Sequence, residues 1–345
     1  MKHSKKLLST ALAVTFSAVG FSAAAANVDG PEVEWRYSVW GNPRAFTAGL
    51  EHLAKRVKEE TGGKFVINIG YGEQFSKSRE NLDSIKLGAI DGGSFCNFYH
   101  PGKNPAFMVF SLPFLPLGDW DVNKEARQKL FAHPALVKDM DRWDAMVYAG
   151  ALMPQYEFLG NGKPPKNLED WKGMRVRAGG GIGDAMQKLG AIKTTTTATE
   201  VYTSMQRGSM DAASFPYTYA HAAYKIPEVS KWYTTNMSPG TSACPTVFSK
   251  TSYNKLPPQY KKLLEDLKPE VYEVQAAAYQ NMDKKNLPIF AEKLEGITYT
   301  PEQLTEFQEV AAKPVWNEWI AKNKDKFNGQ ELIDIVFEVA NSKKK

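Results

Sequence analysis

The chain has 345 residues and a formal net charge of +5. Lys2, Lys5 and Lys6 supply three of the positive charges, and no concentrated basic face follows them, which argues against a nucleic-acid-binding protein. The two cysteines, Cys96 and Cys244, are too few for a disulfide-rich scaffold or a four-cysteine metal site. An oxidising compartment would permit one bridge between them; the sequence does not decide whether the sulfurs meet, and we expect separate thiols.

The first predicted element is a secretory signal peptide, residues 1–26. The lysines precede an apolar run from Leu7 to Phe21, small residues in A-x-A spacing follow it, and cleavage is predicted after Ala26. The run is too short for a membrane anchor, and polar sequence follows it. We therefore expect an exported, soluble protein that is long enough for two domains.

In the first half, predicted strands alternate with predicted amphipathic helices. Strands are expected at 34–40 and 64–71 and helices at 45–63 and 79–88, and an apolar stretch, "GGSFCNFY", follows the second helix. Such alternation indicates parallel sheets covered by helices on both faces. In sheets of this kind, ligands collect at the carboxyl ends of the strands.

The second half repeats this pattern. The expected elements are a strand ending in "MRVRA", strands at 143–154 and 240–250, a helix at 181–191, and a helix followed by a short strand at 198–215. The rest is predicted to be helical, including a long helix from about Pro257 to Leu294 that Pro288 interrupts. This order predicts an α/β fold of two lobes, with the chain crossing between them.

The stretch "WKGMRVRAGGGIGDAMQKLG" predicts a binding group at the end of a strand. Met174 and Val176 alternate with Arg175 and Arg177, so the two arginines share one face of the strand. Arg177 stands last, beside glycines and ahead of a helix N-terminus, and its guanidinium can hold a carboxylate through two hydrogen bonds. The residues alone leave open the alternative that Arg177 is a surface arginine paired with an acid such as Asp170.

The same glycines do not form a nucleotide-binding motif. "GGGIGD" lacks the third glycine of G-x-G-x-x-G, and the chain has no G-x-x-x-x-G-K-[ST]. The histidines after the signal peptide, His52, His100, His133 and His221, lie far apart without H-E-x-x-H, and we expect each at the surface or in a turn. No cofactor and no metal site is predicted.

Four stretches of the chain together resemble one family. They are "GGKFVINIGYGEQFSKSRENLDSIKLGAIDGGSF", "PAFMVFSLPFLP", "LEDWKGMRVRA" and "TEVYTSMQRGSMDAASFP". In this order they resemble the substrate-binding proteins of tripartite ATP-independent periplasmic (TRAP) transporters, the DctP-like family, over nearly the whole chain after the signal peptide. The resemblance implies a two-lobed periplasmic binding protein fold of the α/β class, with a ligand cleft between the lobes and long connecting helices. It places residues 27–154 plus 243–282 in lobe I and residues 155–242 plus 283–340 in lobe II.

The function implied by the resemblance is a periplasmic receptor that captures a small organic acid and delivers it to a TRAP membrane permease. Arg177 falls on the family's carboxylate-binding arginine, at the end of a "KGxKxRV"-like motif, and Arg175 falls on a supporting basic position. Phe215 stands where many members have an asparagine that touches the carboxylate. From the first lobe, the matched strand ends contribute Trp40, Asn42, Phe95, Cys96 and Asn97.

One departure from the family pattern bears on the ligand. Many members carry a second arginine upstream of the first, and ungapped alignment puts Glu157 at its place, which argues against a dicarboxylate clamped by two arginines. Aromatic walls are expected instead, from Trp40, Phe95, Tyr156, Phe215, Tyr217 and Tyr219. Some of these rings are alternatively ordinary core. Aromatic walls suit a monocarboxylate with an aromatic or partly apolar body, or alternatively a zwitterion whose cation pairs with Glu157.

Two other functions stay open from the sequence. An exported enzyme that acts on a small carboxylic acid would need a base near Arg177, for which Glu157 is the candidate. A receptor that reports its ligand to a sensor protein would carry the same binding site.

Overall fold

The predicted signal peptide, residues 1–26, lies outside the residues that the structure describes. A computed structural model describes residues 28–343. Its strands are β1 (Val33–Ser38), β2 (Phe65–Gly70), β3 (Gly92–Ser94), β4 (Ala145–Ala149), β5 (Tyr156–Gly160), β6 (Arg175–Arg177), β7 (Ile192–Thr194), β8 (Ala212–Pro216), β9 (Trp232–Thr234), β10 (Thr246–Ser249) and β11 (Glu295–Ile297). Its α-helices are α1 (Ala48–Glu60), α2 (Asn81–Lys86), α3 (Trp120–Ala132), α4 (Pro134–Asp141), α5 (Gly180–Lys188), α6 (Val201–Gln206), α7 (Tyr219–Ala223), α8 (Lys250–Lys255), α9 (Pro258–Lys293), α10 (Pro301–Asn323) and α11 (Gly329–Lys343).

The strands form two sheets, each at the centre of one lobe. The first has the order β2-β1-β3-β10-β4 and the second the order β11-β9-β5-β8-β6-β7. We call the part around the first sheet the first lobe and the part around the second sheet the second lobe. The mixed α/β, two-lobed fold expected from the sequence is confirmed.

Both sheets are mixed, whereas the alternation of strands and helices predicted parallel pairing. Strand β10 runs antiparallel to β3 and β4, and β5 runs antiparallel to β8 and β9. Both β5 and β10 follow a crossing of the chain from one sheet to the other. A helical crossover within one sheet makes the next strand parallel. A strand that enters from the other lobe lacks that constraint.

The hydrophobic alternation of β1 explains which face of this strand is buried in the first lobe. Trp35 and Tyr37 are buried, while Glu34 and Arg36 are exposed. The ring of Trp35 packs edge-on against that of Phe65 on β2, with 5.0 Å between the ring centroids. The strand predicted at 34–40 is therefore confirmed with slightly different bounds.

The predicted break at Pro288 is wrong, because α9 continues through this residue and through an earlier proline. Contacts with both lobes hold the helix between its two prolines. The Tyr279 hydroxyl donates to the carbonyl of Ala151 at 2.9 Å, and the amide of Asn286 donates to the Thr218 hydroxyl at 3.2 Å. Tertiary packing thus overrides the missing backbone donor of a helical proline.

The last helix returns to the first lobe. Helix α11 packs on α3, with an ion pair between Lys343 and Glu125 at 3.0 Å and a hydrogen bond between the carboxylate of Glu331 and the imidazole of His133 at 3.3 Å. The lobe bounds given by the resemblance stay a prediction, and these contacts favour placing residues 329–343 with the first lobe. Within residues 28–343, no helix combines the length and apolarity needed to cross a bilayer.

Candidate functional site

A narrow cavity of about 30 Å³ lies between the two lobes. Eight aromatic residues line it: Trp40, Phe46, Phe98, Tyr99, Tyr156, Phe215, Tyr219 and Tyr224. Two arginines, Arg44 and Arg177, also line it, together with both cysteines. The cavity is therefore an aromatic chamber with two cationic groups in its wall.

Arg177 ends β6 and is 2 % exposed. Its Nε donates to the carbonyl of Thr196 at 3.1 Å and its Nη1 to the carbonyl of Ser214 at 2.7 Å. The guanidinium carbon lies 4.4 Å from the centroid of the Phe215 ring and 5.4 Å from that of Phe98. Two rings and two carbonyls thus hold the guanidinium in place.

No carboxylate of the described chain lies within ion-pair distance of Arg177. Asp170, the acid that the sequence offered as a partner, pairs with Lys163 at 2.6 Å. A buried cation without an anion is costly, so this position favours binding of an anionic group from outside the chain. The alternative of a paired surface arginine is excluded by this geometry.

Gly179 allows the first lobe to reach the end of β6. A Cβ at this position would lie 2.3 Å from Cγ of Phe98, which is far inside contact distance. The ring of Phe98 therefore covers Gly179 and reaches Arg177 because residue 179 has no side chain. The glycines after "RVRA" serve the approach of the opposite lobe.

Arg175 lies outside the cavity. Its Nε and Nη2 donate to the carboxylate of Asp211 at 3.0 and 2.5 Å, and its backbone N–H donates to the same group at 2.7 Å. The Arg175 guanidinium holds the pKa of Asp211 below its usual range. This arginine supports β6 from the side and has no free fork for a ligand.

Glu157 does not line the cavity of Arg177, which corrects the expectation that it stands beside the ligand. It is 1 % exposed, and its carboxylate accepts from the hydroxyl of Thr234, from the backbone N–H of Met237 at 3.2 Å, and from the N–H and hydroxyl of Ser238 at 2.9 and 2.8 Å. Burial raises its pKa, and these hydrogen bonds oppose the rise. Ungapped alignment placed the residue on the strand but could not show that a distant turn surrounds its side chain.

Glu157 and Tyr217 line a separate cavity of about 290 Å³, on which Asp283 also borders. The carboxylate of Asp283 accepts from the backbone N–H and the hydroxyl of Thr218, both at 2.8 Å. This second cavity has no arginine in its wall. Tyr217 is therefore not part of the wall around Arg177.

Two predicted residues of the first lobe are packed into its core. The amide of Asn97 donates to the carbonyl of Phe107 at 3.0 Å and to the Ser111 hydroxyl at 3.3 Å, and its oxygen accepts from the N–H of Ala243 at 3.4 Å. Phe95 is fully buried and packs edge-on against Phe107, with centroids 5.3 Å apart. Neither residue lines the cavity, because both side chains are used within the lobe.

Asn42 is exposed, and its contribution is a backbone carbonyl rather than its side chain. That carbonyl and the carbonyl of Trp40 each accept from Nη1 of Arg44 at 2.8 Å. The predicted site residues that the structure does bring together around the cavity are Trp40, Cys96, Tyr156, Arg177, Phe215 and Tyr219.

The cysteines form a disulfide, which corrects the expectation of separate thiols. Cys96 and Cys244 are joined across 148 residues of sequence, and both border the cavity. The bridge links the segment after β3 to the segment before β10, two neighbouring strands of the first sheet. Their pairing depends on the return of the chain from the second lobe, which spacing alone does not show.

Sequence reasoning missed Arg44, Phe98, Tyr99 and Tyr224 as wall residues. Arg44 follows β1 in a loop at the carboxyl end of that strand, the same kind of position that singled out Arg177. This strand-end position was the signal that could have identified it.

Direct contacts join the lobes around the cavity. The Tyr99 hydroxyl accepts from the N–H of Ala198 at 2.9 Å, and Nη2 of Arg79 donates to the carbonyl of Thr195 at 2.8 Å. With Phe98 against Gly179, these contacts close the chamber. A cleft of about 610 Å³ opens beside it, but Arg79 already donates to chain carbonyls there and Lys193 pairs with an acid, so we place the candidate site in the narrow chamber.

Two histidines are buried, although the sequence predicted surface or turn positions. His221 has no exposure, lies edge-on to Phe215 and shares a 3.1 Å hydrogen bond with the carbonyl of Glu157. Burial lowers its pKa to about 3. Burial likewise lowers the pKa of His100 to about 4, so both imidazoles are neutral near pH 7.

Known proteins of one family resemble this chain over most of its length. Residues 38–323 match the family DctP, bacterial extracellular solute-binding protein, family 7. A monocarboxylate 2-oxoacid-binding periplasmic protein of Nostoc sp. is 22 % identical over 334 residues, covering 89 % of this chain and 89 % of that protein.

In the part of the chain that the structure describes, no group of three or more His, Cys, Asp or Glu residues is arranged to hold a metal ion.

Solved structures of similar fold carry acids. A TRAP solute-binding protein from a marine metagenome, specific for aromatic acid ligands and in complex with 3-hydroxybenzoate, has a TM-score of 0.80 at 19 % identity, covering 92 % of this chain and 100 % of that one. A TRAP periplasmic solute-binding protein of Desulfovibrio salexigens with bound orotic acid has a TM-score of 0.80 at 25 % identity, covering 89 % and 98 %.

Proposed function

Since the chain belongs to the DctP family of TRAP-transporter solute-binding proteins, we propose that it captures a small organic monocarboxylate with a flat, aromatic or partly apolar body. The observation that carries this proposal is Arg177, a buried guanidinium in the chamber between the lobes that faces no carboxylate of the described chain. A carboxylate is the ligand group that a planar guanidinium fork recognises best.

The rings around Arg177 favour a particular shape of acid. Phe215 and Phe98 both lie against the guanidinium, and six further aromatic residues complete the wall. Such rings favour a flat or apolar ligand body, since they offer stacking area but few polar partners. The relatives that bind a monocarboxylate 2-oxoacid, 3-hydroxybenzoate and orotic acid support an acid of this kind.

Because the side chain of Glu157 does not line the chamber, it cannot contact either a zwitterion's cation or a second carboxylate there. A zwitterion loses the counter-ion that the sequence offered for its cation, because Glu157 is bound by the turn around Met237 and Ser238. Glu157 also offers no repulsion to a second carboxylate in the chamber, because its side chain lines the other cavity. Selectivity for a monocarboxylate therefore rests on the aromatic wall rather than on a nearby acid.

Capture requires the lobes to move. A chamber of about 30 Å³ has room for one or two water molecules but not for a ring-sized acid. Entry therefore requires the contacts of Phe98 with Gly179 and of Tyr99 with Ala198 to open. An acid that touches both lobes has more contacts in the closed form than in the open form, and this difference drives closure.

We further propose that the closed form delivers the acid to a TRAP membrane permease from the periplasm, as family membership supports. No reaction is proposed. Neither a carboxylate nor a histidine lines the chamber in the described part of the chain, and Glu157, the candidate base, lies elsewhere. Recovery of a bound acid chemically unchanged after incubation is the expected result, and recovery of a converted product would favour an exported enzyme.

Identification of the bound acid tests the proposal. The purified protein is denatured, the released small molecules are identified by mass spectrometry, and benzoate, 3-hydroxybenzoate, pyruvate, malonate, succinate and a zwitterionic amino acid are screened by thermal shift. We expect the largest stabilisation from a flat or apolar monocarboxylate, because binding to the folded form adds stability by mass action. A largest shift from succinate or from the zwitterion would contradict the proposed ligand class.

A further inference from the structure

A second cationic group faces the chamber from the first lobe. Arg44 follows β1 and lines the cavity; its Nη1 donates to the carbonyls of Trp40 and Asn42, both at 2.8 Å. Its Nε and Nη2 have no hydrogen-bond partner among residues 28–343, and no acid of that range forms an ion pair with it. The guanidinium is therefore held in place while part of its fork stays available.

The Tyr224 hydroxyl is a second unmet donor in the same wall. It is buried and has no acceptor in the described chain; the indole N–H of Trp40, its nearest polar neighbour, can only donate, so the hydroxyl proton stays unpaired. The guanidinium carbon of Arg44 lies 5.5 Å from the centroid of the Tyr224 ring. A buried hydroxyl without a partner is uncommon, because losing its hydrogen bonds to water costs free energy.

These two donors stand at one end of a stacked column. The Tyr224 ring stacks on Phe215 with centroids 5.5 Å apart and planes 21° apart, and the opposite end of the column is Arg177, 4.4 Å from the Phe215 ring. Arg177 belongs to the second lobe and Arg44 to the first. Two aromatic rings therefore separate the two guanidinium groups along the chamber wall.

Gly41 brings Arg44 and Tyr224 together. A Cβ at this position would lie 3.0 Å from the Tyr224 hydroxyl oxygen and 3.1 Å from Nη1 of Arg44, and the backbone has φ +69°. Both donors thus converge on the same loop glycine, which permits the close approach and the left-handed backbone.

We infer that Arg44 and Tyr224 form a second subsite, which takes a hydrogen-bond-accepting oxygen at the end of the ligand remote from its carboxylate. The inference rests on the proposed function, since it needs the carboxylate on Arg177 to fix the ligand's direction. A hydroxyl or an oxo group on a monocarboxylate supplies such an oxygen, and a second carboxylate serves in the test as a charged probe of the same donors. The subsite draws the first lobe onto the ligand and selects oxygenated acids over purely apolar ones.

Calorimetric titration of the whole protein tests the subsite with benzoate, 3-hydroxybenzoate, 4-hydroxybenzoate and benzene-1,3-dicarboxylate. In the unmodified protein, at least one of the two hydroxybenzoates is expected to bind about tenfold more tightly than benzoate, the effect of roughly one well-formed hydrogen bond to a charged group. Tyr224→Phe removes the hydroxyl and keeps the ring, and Arg44→Met keeps the stem and removes the charge. Each substitution is expected to reduce the affinity ratio of oxygenated acid to benzoate by about fivefold or more.

The two variants also distinguish a hydroxyl oxygen from a carboxylate oxygen in the subsite. A hydroxyl ligand is expected to depend more on Tyr224, and a second carboxylate more on Arg44, since the latter pairs with a full charge. Arg175→Ala, a change outside the chamber, is expected to leave the ratio unchanged.

Two results would overturn the subsite while leaving the proposed function standing. One is a ratio near unity in the unmodified protein with all acids bound through Arg177; the other is a preference for oxygenated acids that survives both Tyr224→Phe and Arg44→Met. If none of these acids binds but pyruvate does, the subsite fails alone; if pyruvate does not bind either, or if binding ignores Arg177→Ala, the proposed function itself fails and the subsite fails with it.

Discussion

Glu157 and Arg177 are two buried charges of the second sheet, on strands that flank β8, and their surroundings differ. Four donors of the chain surround the Glu157 carboxylate, from Thr234, Met237 and Ser238. The Arg177 guanidinium has two carbonyl acceptors and no carboxylate of the described chain. A buried charge whose partners come from the chain stabilises the fold, whereas one whose counter-ion is missing is suited to a ligand.

Because its counter-ion is missing from the described chain, Arg177 is expected to have the largest effect on affinity. Arg177→Ala should weaken binding of the best acid from the screen by about 2 to 4 kcal/mol, roughly thirty-fold to a thousand-fold, because a desolvated bidentate contact is lost. Arg177→Lys should not restore it, since an ammonium group cannot form the fork. Calorimetry measures both variants.

Arg175→Ala is the matched control, because it removes an arginine two positions away on the same strand whose partner is Asp211. Its affinity should stay close to that of the unmodified protein. Equal losses in the two alanine variants would mean that damage to β6, rather than a ligand contact, explains the effect of Arg177→Ala.

At Glu157 the expected effect is on stability instead. Glu157→Gln should lower the free energy of unfolding by about 1 to 3 kcal/mol, because an amide NH₂ would face the donors of Ser238 and Met237. Urea unfolding of the ligand-free protein measures this change. A variant with full stability but much weaker binding of the acid would reverse the roles assigned to the two charges.

A third prediction concerns His221, which shares a hydrogen bond with the backbone carbonyl of Glu157 and lies edge-on to Phe215, the ring against Arg177. Burial lowers its pKa from 6.5 to about 3, so between these values the unfolded chain binds more protons than the folded one. Stability is therefore lost as the pH falls from about 6.5, by up to about 1.4 kcal/mol per pH unit for this one group. His221→Gln keeps a donor for the Glu157 carbonyl and cannot titrate.

The difference in unfolding free energy between His221→Gln and the unmodified protein isolates the titration of His221. Asp139 acts in the opposite direction, since burial raises its pKa to about 6 and its contribution falls as the pH rises from about 4 to 6. Unfolding free energies measured at several pH values should show a shallower acid loss in the variant. Identical slopes would mean that His221 does not titrate in this window.

The smallest expected effect is on molecular size. Saturation with the acid should lower the radius of gyration of the protein in solution, because a ligand held by both lobes favours the closed form. Small-angle scattering with and without acid measures this change. An unchanged radius at saturation would argue against closure by lobe movement.

The sequence predicted local elements better than long-range partners. Strands β1 and β2 follow from hydrophobic alternation, and Arg177 follows from its place at a strand end. The shell of Glu157 comes from residues 77 to 81 positions away, and the disulfide spans 148 positions. Neither is readable from spacing, because both depend on how the chain crosses between the lobes.

The aromatic wall shows the same division. Trp40 and Phe215 could be predicted as wall residues, but Phe95 has the same hydrophobic character and packs in the core of the first lobe instead. Composition favours burial for each of these rings. Which of them meet the chamber is decided by the contact between lobes, for which the local sequence carries no signal.

The most direct test is a crystal structure of the protein with the best-binding acid of the thermal-shift screen. We expect both carboxylate oxygens to lie about 2.7 to 2.9 Å from nitrogens of Arg177, the range of charge-assisted hydrogen bonds, with the body of the acid between the rings of Phe215 and Phe98. An acid bound in the cavity beside Glu157 and Asp283, with the Arg177 guanidinium still held by its two carbonyls alone, would contradict it.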